Sequence, residues 1–392
     1  GIFHIEEDLH GWINDGLMTF FFFVVGLEIK RELTRGELAG FQKALLPVTA
    51  ALGGMVVPAL IYLALNAGGE GERGWGIPMA TDIAFALGVL ALIGRRIPSQ
   101  LRVFLLALAI ADDIGAITVI AIFYTSDLSI EALLIAGAVL VFINGMSRAG
   151  VRDISVYLFV GSFAWVAMFE SGVHATIAGV VLGLMTPANP YYGTSKFEET
   201  METLFAKYRD AHARDDESAA QHFLGQMEAL TQGTESPLER LERLLLPITS
   251  FIVVPVFALA NAGVVITGDS VSDAVSSDVS QGVAFGLLFG KPLGIFLATW
   301  LVVRLGLAKL PPSMNWGQVL GVGLLGGVGF TVALFVDELA FDNEVLIDDG
   351  KMGILAGSFV SAIIGYVMLV LLTRKPASSS DLGEHAGGAG PG

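Results

Sequence analysis

The chain has 392 residues, of which 54% are hydrophobic and 15% charged. Soluble domains carry about 25% charged residues, so this balance excludes an ordinary soluble globule and points to a polytopic membrane protein. A formal net charge of −16 argues against nucleic acid or an anionic lipid surface as a partner, and the absence of cysteine excludes disulfides, thiolate metal sites and a cysteine nucleophile. Gly1–Gly11 lacks the basic and apolar regions of a signal peptide. The chain opens without Met, so processing or truncation is expected there.

Apolar segments long enough for the ~30 Å hydrocarbon core of a bilayer recur along the chain. In order they fall at 12–29, 44–66, 77–94, 103–123, 130–146, 154–170, 173–186, 244–266, 282–303, 317–336 and 352–373, which predicts about eleven spans. The abundant Gly and Phe suit such helices. By alternation, Lys30, Arg31, Arg35 and Lys43, Arg95, Arg96 and Arg102, Arg148 and Arg152, Arg304 and Lys309, and Arg374 and Lys375 share one side. Arg73 and Lys351 take the other. The basic side is read as cytoplasmic, which puts the C-terminus there too. The acid-rich stretches Asp269–Asp278 and Asp337–Asp349 are read as outer, solvated loops.

Residues 193–243 are dense in charge and predict one or two amphipathic helices in a cytoplasmic insertion. The expected organisation is a first membrane part over 1–192, the insertion over 193–243, a second membrane part over 244–375, and a disordered Ser-, Gly- and Ala-rich tail over 376–392.

Two spans are interrupted near mid-depth, one by Thr81-Asp82 after Pro78, the other by Gly326-Gly327-Val328-Gly329-Phe330-Thr331. Each is the middle member of a three-span group, 44–123 and 282–373, and the two groups run in opposite directions. That is the pattern of an all-α inverted-repeat secondary transporter with two broken helices. Unwound helix ends expose partial charges of both signs. Asp82 is the candidate to meet the positive ends, and a cation would suit the carbonyl ends.

The charged residues inside spans are few. Asp112 and Asp113 are adjacent in the run Val103–Phe123, and Lys291, followed by Pro292 among glycines, stands alone in its own span. Charge at such depth is expensive and marks function. Neighbouring carboxylates repel, whereas a proton or a hard cation such as sodium or lithium would satisfy them. Adjacent residues point about 100° apart on a helix, so one aspartate can meet Lys291 while the other faces water. A site that holds protons or ions alternately couples their fluxes. At the end of the first span, Glu28, Arg31 and Glu32 form a charged helix terminus, either interfacial or pH-responsive. His174 opens a later span and is either packed or a pH sensor. No cofactor is called for.

Three rival readings apply. A retinal pump needs about seven spans and an aromatic pocket around the lysine, but Lys291 is flanked by Gly, Leu and Pro. An intramembrane aspartyl protease needs two aspartates from different helices sharing a proton, which Asp82 and Asp113 could supply, though no protease motif accompanies them. A passive cation channel fits the carboxylates less well than exchange does.

The motifs Trp12–Asp15, Gly26–Leu33, Ala80–Ala86, Ala109–Ala116, Gly172–Thr176, Phe257–Gly263, Gly290–Gly294 and Gly329–Thr331 together resemble those of the NhaA-type sodium–proton antiporters. The resemblance implies that Asp113 is the main ion and proton carboxylate and that Asp112 pairs with Lys291 or releases to bind the ion. It also implies that Thr81 and Asp82, with Gly327, Gly329 and Thr331, line the crossing of the broken helices. Glu242, matched to a Glu of the family, joins Glu28, Arg31, Glu32 and His174 as a pH-response candidate. The implied activity is electrogenic export of cytoplasmic Na+ or Li+ against external H+ by a homodimer in the bacterial inner membrane, serving pH and sodium homeostasis. Three departures stand out. The family's first span is missing before Trp12, residues 193–243 exceed the usual loop, and the histidines that often accompany the Glu242 region are absent.

Overall fold

The computed structural model describes residues 9–125, 128–151, 154–190 and 193–373, and every regular element among them is helical. The expected tail 376–392 and the basic residues Arg152, Arg374 and Lys375 lie outside the described residues.

In chain order the helices are α1 (Leu9–Arg35), α2 (Phe41–Asn66), α3 (Ile83–Ile93), α4 (Ser99–Phe123), α5 (Ile130–Arg148), α6 (Ile154–Phe169) and α7 (Thr176–Met185). There follow α8 (Thr194–Ala213), α9 (Glu217–Thr234), α10 (Pro237–Asn261), α11 (Gly268–Ser276), α12 (Asp278–Arg304), α13 (Trp316–Gly326), α14 (Phe330–Ala340) and α15 (Glu344–Leu372). Seven of these are long and apolar enough to cross a membrane; two bent pairs and the shorter apolar helices α6 and α7 complete the eleven segments read from the sequence. The bent pairs are a tight 3-10 segment, Glu70–Met79, with α3 at 43°, and α13 with α14 at 49°.

Helix ends depart from the apolar windows because charged and capping residues extend a helix past its hydrocarbon stretch. α10 starts at Pro237 rather than 244: Ser236 and Glu239 form a reciprocal capping box and Pro237 occupies the first helical turn. It stops at Asn261, short of 266. The acidic stretches are not loops throughout. Gly268–Ser276 is a short helix capped by Thr267, and Asp337 and Glu338 lie inside α14.

The chain divides into two compact units. One comprises 1–43 and 116–263. Here α1 and α7 touch through small residues: a Cβ on Gly26 would meet the Val180 backbone, and one on Gly183 would meet Gly26. Without lipid-specific attraction, such close approach is what holds membrane helices together. Trp165 stacks on Trp12 and donates to Thr19 Oγ1 at 2.8 Å. The charged insertion forms an α8–α9 pair that buries Leu204, Ala211, Ala220 and Leu230.

The other unit comprises 44–115 and 264–392 and contains both broken helices. Its apolar core joins α2, α3, α4, α12, α13 and α15 through residues such as Leu90, Leu105, Ile295, Val322 and Leu325. α12 meets α2 where Gly294 lies against Gly53, so closely that a side chain at either position would strike backbone. Residues 286–290 of α12 widen into a π turn just before Lys291, and Pro292, which has no amide hydrogen, follows.

Candidate functional site

The two breaks of the second unit meet. The Asp82 amide donates to Val328 O at 2.7 Å, joining the unwound segments directly. Asp82 is the N-cap of α3, its carboxylate accepting from the Phe85 amide at 3.1 Å. Its other oxygen accepts from the Thr331 amide at 3.1 Å and from the Thr331 hydroxyl. One negative charge thus sits on the N-terminal ends of two half-helices, where the helix dipole and unpaired amides favour it.

The carbonyl end is served by a positive charge at one remove. Lys291 Nζ donates to Asp112 Oδ2 at 2.5 Å and to Thr81 Oγ1 at 2.9 Å, and Thr81 Oγ1 donates to Gly326 O at 2.8 Å. Gly326 is the last residue of α13, so its carbonyl lacks an intrahelical partner by geometry alone. Lys291 is 0% exposed and Asp112 1%. A buried ion pair persists only when each charge is matched and hydrogen-bonded. Asp112 Oδ1 has no hydrogen-bond partner among the described residues, which leaves a buried acceptor beside an ammonium. Asp113 is buried too and acts electrostatically on Lys291.

The second unit therefore brings together Thr81, Asp82, Asp112, Asp113, Lys291 and Thr331. Gly327 and Gly329 lie at the second break, where a Cβ on Gly327 would meet Leu287 O and Ser361 Oγ. Two residues that sequence reading passed over complete the crossing. Ser358 Oγ accepts from the amides of Gly329 and Phe330 at 3.2 Å each, and Ser361 Oγ donates to Leu324 O at 2.7 Å. The two serines are three positions apart on α15, on one face, and they serve opposite ends of the break. That spacing of hydroxyls in an apolar helix was the available signal.

The remaining candidates belong to the first unit. Arg31 pairs with Glu242 and lies 3.7 Å from Glu32. Arg35 pairs with Glu239 at 2.7 Å and donates to Ala188 O at 2.6 Å. Glu28 is within electrostatic reach of Glu242, Arg31 and Glu32, so these residues form one cluster where α1 ends and α10 begins. His174 is not part of it. Its Nε2 lies 2.9 Å from Tyr124 O just before α7, whereas Ala188 lies past that helix's other end. The ten residues of α7, roughly 15 Å of helix, separate the two ends.

Seven helices long and apolar enough to cross a membrane, nine with the bent pairs, two meeting helix breaks and a buried lysine–aspartate pair define, among the described residues, a multi-pass membrane protein of the secondary-transporter type. The family model described as Na+/H+ antiporter 1 matches residues 1–369. The chain is 48% identical to the Na(+)/H(+) antiporter NhaA of Rhodopirellula baltica, over 96% of this chain and 83% of that protein. It is 47% identical to Na(+)/H(+) antiporter NhaA 1 of Saccharophagus degradans over 94% and 81%, and 45% identical to the Helicobacter pylori Na(+)/H(+) antiporter NhaA over 96% and 86%. The chain belongs to the Na+/H+ antiporter 1 family.

Proposed function

We propose that this protein exchanges Na+ or Li+ for H+ across a bacterial inner membrane, by competition of ion and protons for Asp112 and Asp113. Asp113 is the principal carrier carboxylate. Asp112 alternates between Lys291 and the ion, and the buried Asp112–Lys291 contact beside Thr81 is the observation that carries this reading. When protons occupy the aspartates, the ion is excluded; when they leave, carboxylate oxygens of the kind that hard cations prefer are exposed. More than one proton per metal ion makes the cycle electrogenic, and it draws on the proton gradient to expel sodium. Asp82 and Lys291 hold the half-helix ends in register while the site alternates.

The cytoplasmic face carries Arg31, Glu32, Glu28 and Glu242, read here as the element that adjusts activity to pH, with His174 a separate candidate. The repeat units are 44–123 and 282–373, the insertion 193–243 and the C-terminus are cytoplasmic, and the working form is a homodimer. The orientation rests on the distribution of Lys and Arg, and the dimer on family resemblance.

The test uses inside-out vesicles containing the full chain and an imposed proton gradient. Sodium and lithium should each dissipate the gradient, read with a pH-sensitive dye, and Asp113→Asn should abolish the response. Undiminished exchange by that variant would sink the assignment.

A further inference from the structure

Asp337 has no place in the mechanism above. It lies in α14, six residues beyond Thr331, and is 0% exposed. Neither of its carboxylate oxygens has a hydrogen-bond partner among the described residues. The carboxylate presses directly on α15: a Cβ on Gly350 would fall on its oxygens. The charges acting on it are Glu338, Lys351, Asp348 and Asp349. Of these only Lys351 is positive, and its Nζ is engaged with Glu338 Oε1 at 2.8 Å.

The two elements packed closely on α14 are α15 and the 3-10 segment. α15 brings Glu344, Asp348, Asp349 and Lys351, and the 3-10 segment brings Glu70, Glu72 and Arg73. Three acids, Glu338, Asp348 and Asp349, therefore stand against the single base Lys351 around a carboxylate that no donor among the described residues satisfies. An unpaired buried charge of this kind is strongly disfavoured, and a cation sharing the position would relieve it. A metal ion needs several oxygens, and no group of three acidic or histidine side chains stands close enough to hold one among the described residues. A proton needs only one.

We propose that Asp337 is a second proton-binding carboxyl of this protein, separate from the aspartate pair, at the junction of α14 with α15. One carboxylate oxygen takes a proton from a hydronium ion: an O–H bond forms on the carboxyl, one O–H bond of the hydronium breaks, and neutral water is released with no change of oxidation state. Lys351 then stays on Glu338, as observed. Loss of the proton leaves Asp337 and Glu338 competing for one ammonium, which disturbs the contact between α14 and α15. Because Thr331 lies in the first turn of α14, six residues before Asp337, the site lies ~9 Å along the same half-helix from the Asp82 cap. The inference does not depend on Asp113 being the carrier.

The test is infrared spectroscopy of the purified full chain in lipid at neutral pH, comparing wild type with Asp337→Asn. A protonated carboxyl without a hydrogen bond absorbs at the high-frequency end of the carboxylic acid region. That band should be present in the wild type and lost in the variant, and Asp337→Ser should give the same loss if the first variant fails to accumulate. A second readout is thermal unfolding against pH. The folded wild type holds a proton that the unfolded chain releases, so its stability should fall as pH rises above the range in which a free carboxylate titrates, and Asp337→Asn should flatten that fall. Superimposable spectra, or equal pH slopes, would overturn the proposal.

Discussion

Asp82 and Thr331 are 249 positions apart, yet the Asp82 carboxylate accepts the Thr331 amide at 3.1 Å while also capping α3 through Phe85. Two half-helices that begin in different parts of the chain thus share one anion. Single caps contribute about 0.5–2 kcal/mol. Asp82→Ala removes two at once and should lower stability by roughly 1–4 kcal/mol. Asp82→Asn keeps one acceptor oxygen and should fall between the variant and the wild type. Thermal unfolding of the purified proteins measures both, and equal melting temperatures would refute the shared-cap role.

Ser358 and Ser361 deal with the second break from α15. Ser358→Ala strands the Gly329 and Phe330 amides, whereas Ser361→Ala removes one donor from the Leu324 carbonyl, which keeps its bond from the Gly327 amide. A buried group left unmatched costs about 1–3 kcal/mol. Ser358→Ala should therefore destabilise more than Ser361→Ala, and its exchange rate should drop with little change in sodium affinity. Rescue by Ser358→Thr, which restores the hydroxyl, separates this from a packing defect.

The spans and the two breaks were legible because each leaves a mark that one residue type cannot hide: long apolar runs, and Thr81-Asp82 or Gly327-Val328-Gly329 in their midst. Helix ends were not, since Arg35, Pro237 and Glu344 continue helices beyond the hydrocarbon-length windows. Asp337 was misread for the same reason. An acid one residue past an apolar run looks like the start of a loop, and only packing on Gly350 shows it to be interior. The serines escaped because hydroxyls are common in membrane helices and sequence does not tell which of them face a break.

At the junction of α1 and α10, Arg31 is about a third exposed while Glu242 is nearly buried. Solvent screening reduces what such a pair contributes to stability to ~1 kcal/mol or less. Arg31→Ala should therefore melt close to the wild type. It removes a cation that acts on Glu28 and Glu242, and the acids left facing one another favour proton uptake at those two. The pH profile of exchange should move to the alkaline side. A changed melting point with an unmoved profile would mean that the cluster is structural only.

Lys291 and Asp112 allow a sharper test, because both are buried and bonded to each other at 2.5 Å. Removing one partner leaves an uncompensated interior charge, at a cost of about 3–5 kcal/mol. Lys291→Ala strands the carboxylate, and Asp112→Ala strands an ammonium that retains only Thr81 Oγ1 at 2.9 Å. Removing both strands neither member of the pair, with Asp113 the acid that remains beside the position of Lys291. The double variant should therefore be more stable than at least the Lys291→Ala single, with a coupling of roughly 0.5–3 kcal/mol. Melting temperatures of the four proteins in one detergent close the cycle. If the double variant lost the sum of the two single losses, the ion pair would contribute nothing, and the compensation of the α13 carbonyl end through Thr81 would have to be assigned elsewhere.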